Sequence, residues 1–180
     1  MKKILVTGGS GFIGSNFIKK QLESSDNKIF NIDKLTYASN LDNINELVDL
    51  SNYTFAEGSI NNCDLVKSIF EKFQPDLIVN FAAESHVDRS IDAPDVFIDT
   101  NILGTLNLLK ISQRYHSIKH NSFKFIHVST DEVYGSLSSN EEAFKETSQY
   151  KPNSPYSASK ASSDHLVRSW NKTYGLPTVI

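Results

Sequence analysis

Val6-Thr7-Gly8-Gly9-Ser10-Gly11-Phe12-Ile13-Gly14-Ser15 is the stretch that decides the fold. The apolar run Ile4-Leu5-Val6 precedes it, and an apolar-periodic segment with Phe17, Ile18 and Leu22 follows. That order is strand, glycine turn, helix. Gly8, Gly11 and Gly14 space the turn as G-x-x-G-x-x-G. The first glycine permits a tight turn that a Cβ would obstruct. The second lets the backbone approach a pyrophosphate, and the third lets the helix lie close against the strand. The free N–H groups of the helix start, and its dipole, then face phosphates. A glycine turn with no ligand is the plainer alternative. The strand before, the helix after and an acid downstream favour dinucleotide binding.

Outward from this turn, apolar runs alternate with longer amphipathic segments. The predicted strands are Lys3–Thr7, Lys28–Asp33, Tyr53–Glu57, Leu77–Phe81, Lys124–Ser129 and Thr178–Ile180. The predicted helices are Gly11–Ser24, Leu41–Leu50, Asn62–Phe73, Val96–His116 and Tyr156–Tyr174. Alternation of this kind implies βαβ units and an α/β fold: a doubly wound parallel sheet of the Rossmann type, covered on both faces. Ligands of such sheets sit beyond the carboxyl ends of the strands. The polar, aperiodic Ser136-to-Lys151 stretch reads as a surface loop.

Bulk properties narrow the function. A chain of 180 residues suits one domain with a real core. A net charge of −3, with basic residues scattered, gives no reason to expect nucleic acid or an anionic membrane as partner. Cys63 is the single cysteine, so no intrachain disulfide or cysteine-based metal cluster can form. No run approaches the roughly 20 apolar residues of a membrane span, and the N-terminal apolar run is too short for a signal peptide. A cytoplasmic protein without a metal is expected. The final Leu176-Pro177-Thr178-Val179-Ile180 reads as a strand just beginning, which suggests that residues 1–180 are an NAD-binding domain within a longer polypeptide.

The strand ends carry the candidate chemistry. Asp33 closes the second strand, about 20 residues past the glycines, where a carboxylate can accept from ribose hydroxyls and repel the extra phosphate of NADP. NAD is thus favoured, with Lys34 as the dissenting neighbour. The fourth strand runs into Phe81-Ala82-Ala83-Glu84-Ser85-His86-Val87-Asp88-Arg89-Ser90, where the small alanines leave room for a cofactor. His86 lacks a second ligand at metal-binding spacing. The fifth ends in Ser129-Thr130-Asp131-Glu132-Val133-Tyr134-Gly135, and adjacent acids suit paired acid and base work if their surroundings differ. Tyr156 and Lys160 stand four apart, on one face of the last helix. A lysine cation and an oxidised nicotinamide would lower the phenol toward the range a base needs.

Together these strings resemble the extended short-chain dehydrogenase/reductase family and, within it, the NAD-dependent dTDP-glucose 4,6-dehydratases. The resemblance runs from residue 3 to residue 180 and rests on Asp33-Lys34-Leu35-Thr36-Tyr37-Ala38, the Ala82-to-Ser90 string, Ser129 to Gly135, and Tyr156-Ser157-Ala158-Ser159-Lys160. The acidic pair Asp131-Glu132 discriminates, because the related sugar-nucleotide 4-epimerases lack it. The resemblance implies a lyase of deoxysugar biosynthesis. Phe12 and Ile13 lie along the pyrophosphate; Asp33, Lys34, Leu35 and Thr36 surround the adenosine, with Ser59 and Ile60 at the adenine. Phe81, Ala82, Ala83, Ser85 and Thr100 line the cofactor. On this resemblance Tyr156 would take the proton of the glucose 4-hydroxyl as hydride passes to NAD. Lys160 would bind the nicotinamide ribose and lower the phenol, and Thr130 would hydrogen-bond the C4 oxygen. Glu132 would take the C5 proton, Asp131 would protonate the departing 6-hydroxyl, and hydride would return to C6. The resemblance thus implies that Ser85, Thr130, Asp131 and Glu132 contact the dTDP-glucose substrate. A homodimer through the helices at Val96–His116 and Tyr156–Tyr174 is also implied. The sequence departs from the family at Ser59, where an Asp usually helps hold adenine, and in lacking the family's following substrate domain. A 4-epimerase or reductase on the same scaffold, or an NAD-binding module without turnover, are the alternatives.

Overall fold

A computed structural model of the chain describes residues 1–119 and 122–180. Six strands form one all-parallel sheet: β1 Lys3–Thr7, β2 Lys28–Asp33, β3 Tyr53–Glu57, β4 Leu77–Asn80, β5 Lys124–His127 and β6 Thr178–Val179. Their spatial order is β3-β2-β1-β4-β5-β6, the doubly wound arrangement expected. The reversal lies between β1 and β4, so a crevice opens past their carboxyl ends.

Period-two alternation divides the core. Leu5, Ile32, Ile78 and Phe125 point to one face, under α2 (Cys63–Phe73) and the long helices of the second half. Ile4, Val6, Ile29 and Val79 point to the other, where Ile18 of α1 (Phe12–Ser24) meets them. Three more helical segments run almost end to end: α3 Val87–Asp92, α4 Pro94–Phe97 and, after a π-helical stretch at Ile98–Gly104, α5 Thr105–Lys119. The last helix, α6, is Pro155–Tyr174. A capping box opens it, Ser154 and Ser157 each bonding the other's backbone N–H. Gly175, in the left-handed region at φ +68°, closes it.

Three elements differ from the sequence reading. The helix expected at Leu41–Leu50 is two short 3₁₀ turns, Leu41–Asn43 and Asn45–Leu47. Asparagine side chains compete for the backbone there: Asn40 accepts from Asp42 N–H, and Asn43 donates to the Ser10 carbonyl. The expected Val96–His116 helix begins earlier, at Pro94, and is interrupted by the π stretch, which no periodicity reports. Helix α3 was not expected at all. The Ser136–Lys151 stretch has no regular secondary structure, as predicted. Its ends meet. Lys151 N–H donates to the Val133 carbonyl at 3.0 Å. Gly135, at φ +107°, lies so close that a Cβ would stand 2.7 Å from the Lys151 carbonyl oxygen. Among the described residues no helix is long and apolar enough to cross a membrane.

Candidate active site

The glycine turn shows what each glycine does. Gly8 sits at φ +72°, and a Cβ there would collide with the Phe81–Ala82 backbone at 2.6–2.8 Å. A Cβ on Gly14 would lie 2.3 Å from the Gly8 carbonyl, so this glycine lets the helix close onto the turn. At Gly11 nothing stands nearer than 3.4 Å. The space a Cβ would take there belongs to the cleft, a cradle at the helix start. No side chain caps α1 and no acid occupies its first turn, which leaves its amide groups and positive dipole end open. Gly9, which the spacing pattern passes over, is also required: a Cβ would strike Asn31 and Ile18.

The cleft has a volume of about 430 Å³ and begins at these glycines. Phe12 and Ile13, at its lip, are 81% and 62% exposed, unusual for apolar side chains flanking a core strand. Asp33 lies beyond them, buried. Its Oδ2 accepts from Ser10 N–H at 2.9 Å, and its Oδ1 from Leu35 N–H at 2.9 Å and Ser39 Oγ at 2.7 Å. Lys34, Thr36, Ser59, Ile60, Phe81, Ala82, Ala83, Ser85, Thr100, Tyr156 and Lys160 line the same space. Leu35 does not; it turns away at φ +55°, in the left-handed region. Ser59 lines the wall, its Oγ accepting from Asn61 N–H at 3.2 Å. Glu84, within the Ala82-to-Ser85 run, lines the cleft, as do Ser39, Gly58 and Ser129, to which the sequence assigned no contact. Ser39 was the most findable of them, as a hydroxyl six residues beyond Asp33.

At the far end, Tyr156 rises from the first turn of α6. Its phenol lies beside Thr130 and within the field of Glu132 and Asp131. Thr130 opens a 3₁₀ turn, Asp131–Tyr134, its Oγ1 accepting from Glu132 N–H. This places the hydroxyl, both acids and the phenol at one sheet edge, the acids exposed and outside the cleft proper. Lys160 is buried on the same helix face, its Nζ donating to the Val128 carbonyl at 2.6 Å. Burial pushes its pKa down to about 8, against the pull of Asp164. The chain's own groups act on the phenol in the opposite sense to a lysine and a bound nicotinamide. Burial first, then Glu132, Asp131 and Asp164, raise it, and Thr130 only partly offsets them. No group of three or more His, Cys, Asp or Glu side chains capable of holding a metal occurs among the described residues.

Glycines that clear a path to an uncapped helix start, a buried acid beside it and small side chains just past β4 together fit a dinucleotide. Comparison with known proteins points the same way. Residues 5–180 match the family described as GDP-mannose 4,6 dehydratase. The dTDP-glucose 4,6-dehydratase of Salmonella typhimurium is 49% identical over 99% of this chain and 53% of its own length. Among solved structures, the dTDP-glucose 4,6-dehydratase of Bacillus anthracis in complex with NAD is 45% identical, with a TM-score of 0.87, over 99% of this chain and 53% of that one. The Streptomyces venezuelae enzyme of the same name, also with NAD bound, gives 41% identity and 0.88 over 98% and 53%. The chain spans about half the length of the curated relatives it matches.

Proposed function

Because the chain belongs to the GDP-mannose 4,6 dehydratase family, we propose that it is the NAD-binding domain of a nucleotide-sugar 4,6-dehydratase. Its substrate is dTDP-glucose and its product the 4-keto-6-deoxy sugar. The observation that carries this reading is the shared site of Tyr156, Thr130, Asp131 and Glu132, with the phenol beside Thr130 and within reach of both carboxylates' charge. A simple alcohol oxidation needs the phenol and lysine alone; an elimination needs further acids and bases.

Gly8, Gly11, Gly14, Phe12 and Ile13 would hold the pyrophosphate. Asp33, with Lys34, Thr36, Ser59 and Ile60, would hold the adenosine end. Phe81, Ala82, Ala83, Ser85, Thr100 and Lys160 would hold the nicotinamide end. Leu35 contributes its backbone N–H to Asp33 rather than a wall. NAD, when bound, supplies hydride acceptance at the start of the cycle and hydride donation at its end. Tyr156 removes the 4-hydroxyl proton, and Thr130 donates a hydrogen bond to that oxygen as it becomes a carbonyl. The ketone acidifies the C5 proton, which passes to Glu132. Asp131 gives a proton to the departing 6-hydroxyl, so water leaves across C5 and C6. Ser85 meets the sugar. A homodimer belongs to the same reading: Val96, Ile98 and Leu103 are exposed along α4 and the π stretch, on the helices the resemblance assigns to it.

The test is an assay for a 4-keto-6-deoxy product from dTDP-glucose, on the whole enzyme, with Tyr156→Phe beside it. Loss of turnover by about 10²- to 10⁴-fold in that variant, with NAD binding by calorimetry unchanged, is expected. A C4 epimer as product, or full turnover without the phenol hydroxyl, overturns the reading.

A further inference from the structure

A buried polar row crosses the sheet beneath the cleft, and the scheme above leaves it without a part. Thr7, Asn80 and His127 stand abreast on β1, β4 and β5. Thr7 Oγ1 donates to Asn80 Oδ1 at 2.5 Å, and Asn80 Nδ2 lies 3.1 Å from His127 Nδ1. An amide nitrogen can only donate, so Nδ1 accepts and the imidazole proton sits on Nε2. Nε2 faces Asp164 Oδ1 at 3.5 Å, and neither atom has another partner among the described residues. The other oxygen of Asp164 accepts from Ser129 Oγ at 2.7 Å and from Tyr150 Oη at 2.9 Å.

Asp164 follows Lys160 by one helical turn, on the same face of α6. The two side chains grip consecutive residues just past β5. Lys160 takes the Val128 carbonyl, and Asp164 takes the Ser129 hydroxyl. Thr130, Asp131 and Glu132 come directly after. Lys160 is 4% exposed and Asp164 is 2% exposed. A buried ammonium with one acceptor for three protons stays charged only beside an opposite charge.

We propose that Asp164 is a positioning residue, the internal counter-charge that keeps Lys160 an ammonium beside Tyr156 and, through Tyr150, ties the Ser136–Lys151 loop to that charge. This rests on the reading of Tyr156 and Lys160 as the oxidation pair. The groups nearest Asp164 fit the role. Ser129 and Tyr150 donate to it. Burial keeps His127 neutral, so it does not compete for the charge. His165, its neighbour on α6, also favours the carboxylate. Glu146 and Arg168 line the outer cavity where Asp164 emerges. Desolvation weakens the carboxylate, and the bonds from Ser129 and Tyr150 oppose that.

The experiment is a pH titration of Lys160 by NMR on lysine labelled with ¹³C at the ε position, the signal assigned by its loss in Lys160→Met. It needs no substrate. A midpoint near 8 is expected. Asp164→Asn, which keeps an acceptor for Ser129 and Tyr150, lowers it by about one unit or more, and Asp164→Glu restores part of the loss. An unchanged midpoint in Asp164→Asn overturns the proposal, even if that variant melts earlier. Should the variant not fold, the unaltered protein decides. The Asp164 carboxyl ¹³C shift must step at the Lys160 midpoint, and a flat curve there overturns it. In the whole enzyme, the alkaline limb of kcat moves with the lysine midpoint while substrate KM holds. If the oxidation reading is the one in error, Tyr156→Phe turns over normally while the Lys160 midpoint still moves.

Discussion

Two glycines separate fold from ligand. A methyl on Gly14 would press into the Gly8 carbonyl at 2.3 Å, backbone against backbone. Gly14→Ala should therefore cost about 1–3 kcal/mol of stability, seen in urea unfolding. A methyl on Gly11 meets the protein at ordinary contact distance and projects into the cleft. Gly11→Ala should melt with the parent protein yet bind NAD about ten-fold or more weakly by calorimetry. Equal losses in both measurements for both variants would mean that the cradle is structural only. Ser59 belongs to the same scale. Its hydroxyl is engaged by Asn61 N–H, and Ser59→Asp, restoring the acid that the resemblance leads one to expect, should tighten NAD several-fold.

Helix α6 carries Tyr156, Lys160 and Asp164, so its start sets the geometry of the site. The capping box at Ser154 and Ser157 fixes that start. Ser154→Ala should cost about 0.5–2 kcal/mol, or roughly 2–4 °C of melting temperature per kcal/mol. Elements of this kind were legible in the sequence where one periodicity ruled. The strands were placed to within about two residues because Ile4-Leu5-Val6 and Leu77-Ile78-Val79 are unbroken apolar runs. Leu41–Leu50 misled because its leucines keep helical spacing while its asparagines bond to nearby backbone instead. The π stretch left no signature, since it is set by tertiary bonds. Asn101 within it reaches Glu84 and Ser159, and its carbonyl takes the Ser163 hydroxyl.

For the molecule as a whole, the cleft could be foreseen and the layer beneath it could not. The glycines, Asp33 and the Tyr156–Lys160 pair each announce themselves by local spacing. His127, Tyr150 and Asp164 lie far apart in sequence, and only folding brings them together. That layer also governs the response to pH. The His127 pKa lies well below 6.5 in the folded protein because it is buried beside Lys160. Below pH 6.5 the unfolded chain takes up a proton that the folded one refuses, so stability falls as the pH drops through that value. His127→Gln should flatten the loss, compared by melting temperature at pH 7.5 and pH 5. Lys160, with a folded pKa of about 8 against 10.5, acts at the other end. Its burial penalty is complete below 8 and is relieved as the pH rises from 8 to 10.5.

The stretch between Gly135 and Lys151 leaves and rejoins the framework at a clasp, Lys151 N–H to the Val133 carbonyl. A segment fastened at its base behaves as an exchangeable cassette, because closing it adds little entropy whatever its length. Tyr150 lies next to the clasp, so residues 138–143 can be swapped for a glycine–serine run without touching the grip on Asp164 or the ring contact of Phe144 with Tyr134. Such a graft should melt at the temperature of the parent protein. Evolution would then be free to retailor that rim while the sheet beneath stayed as it is.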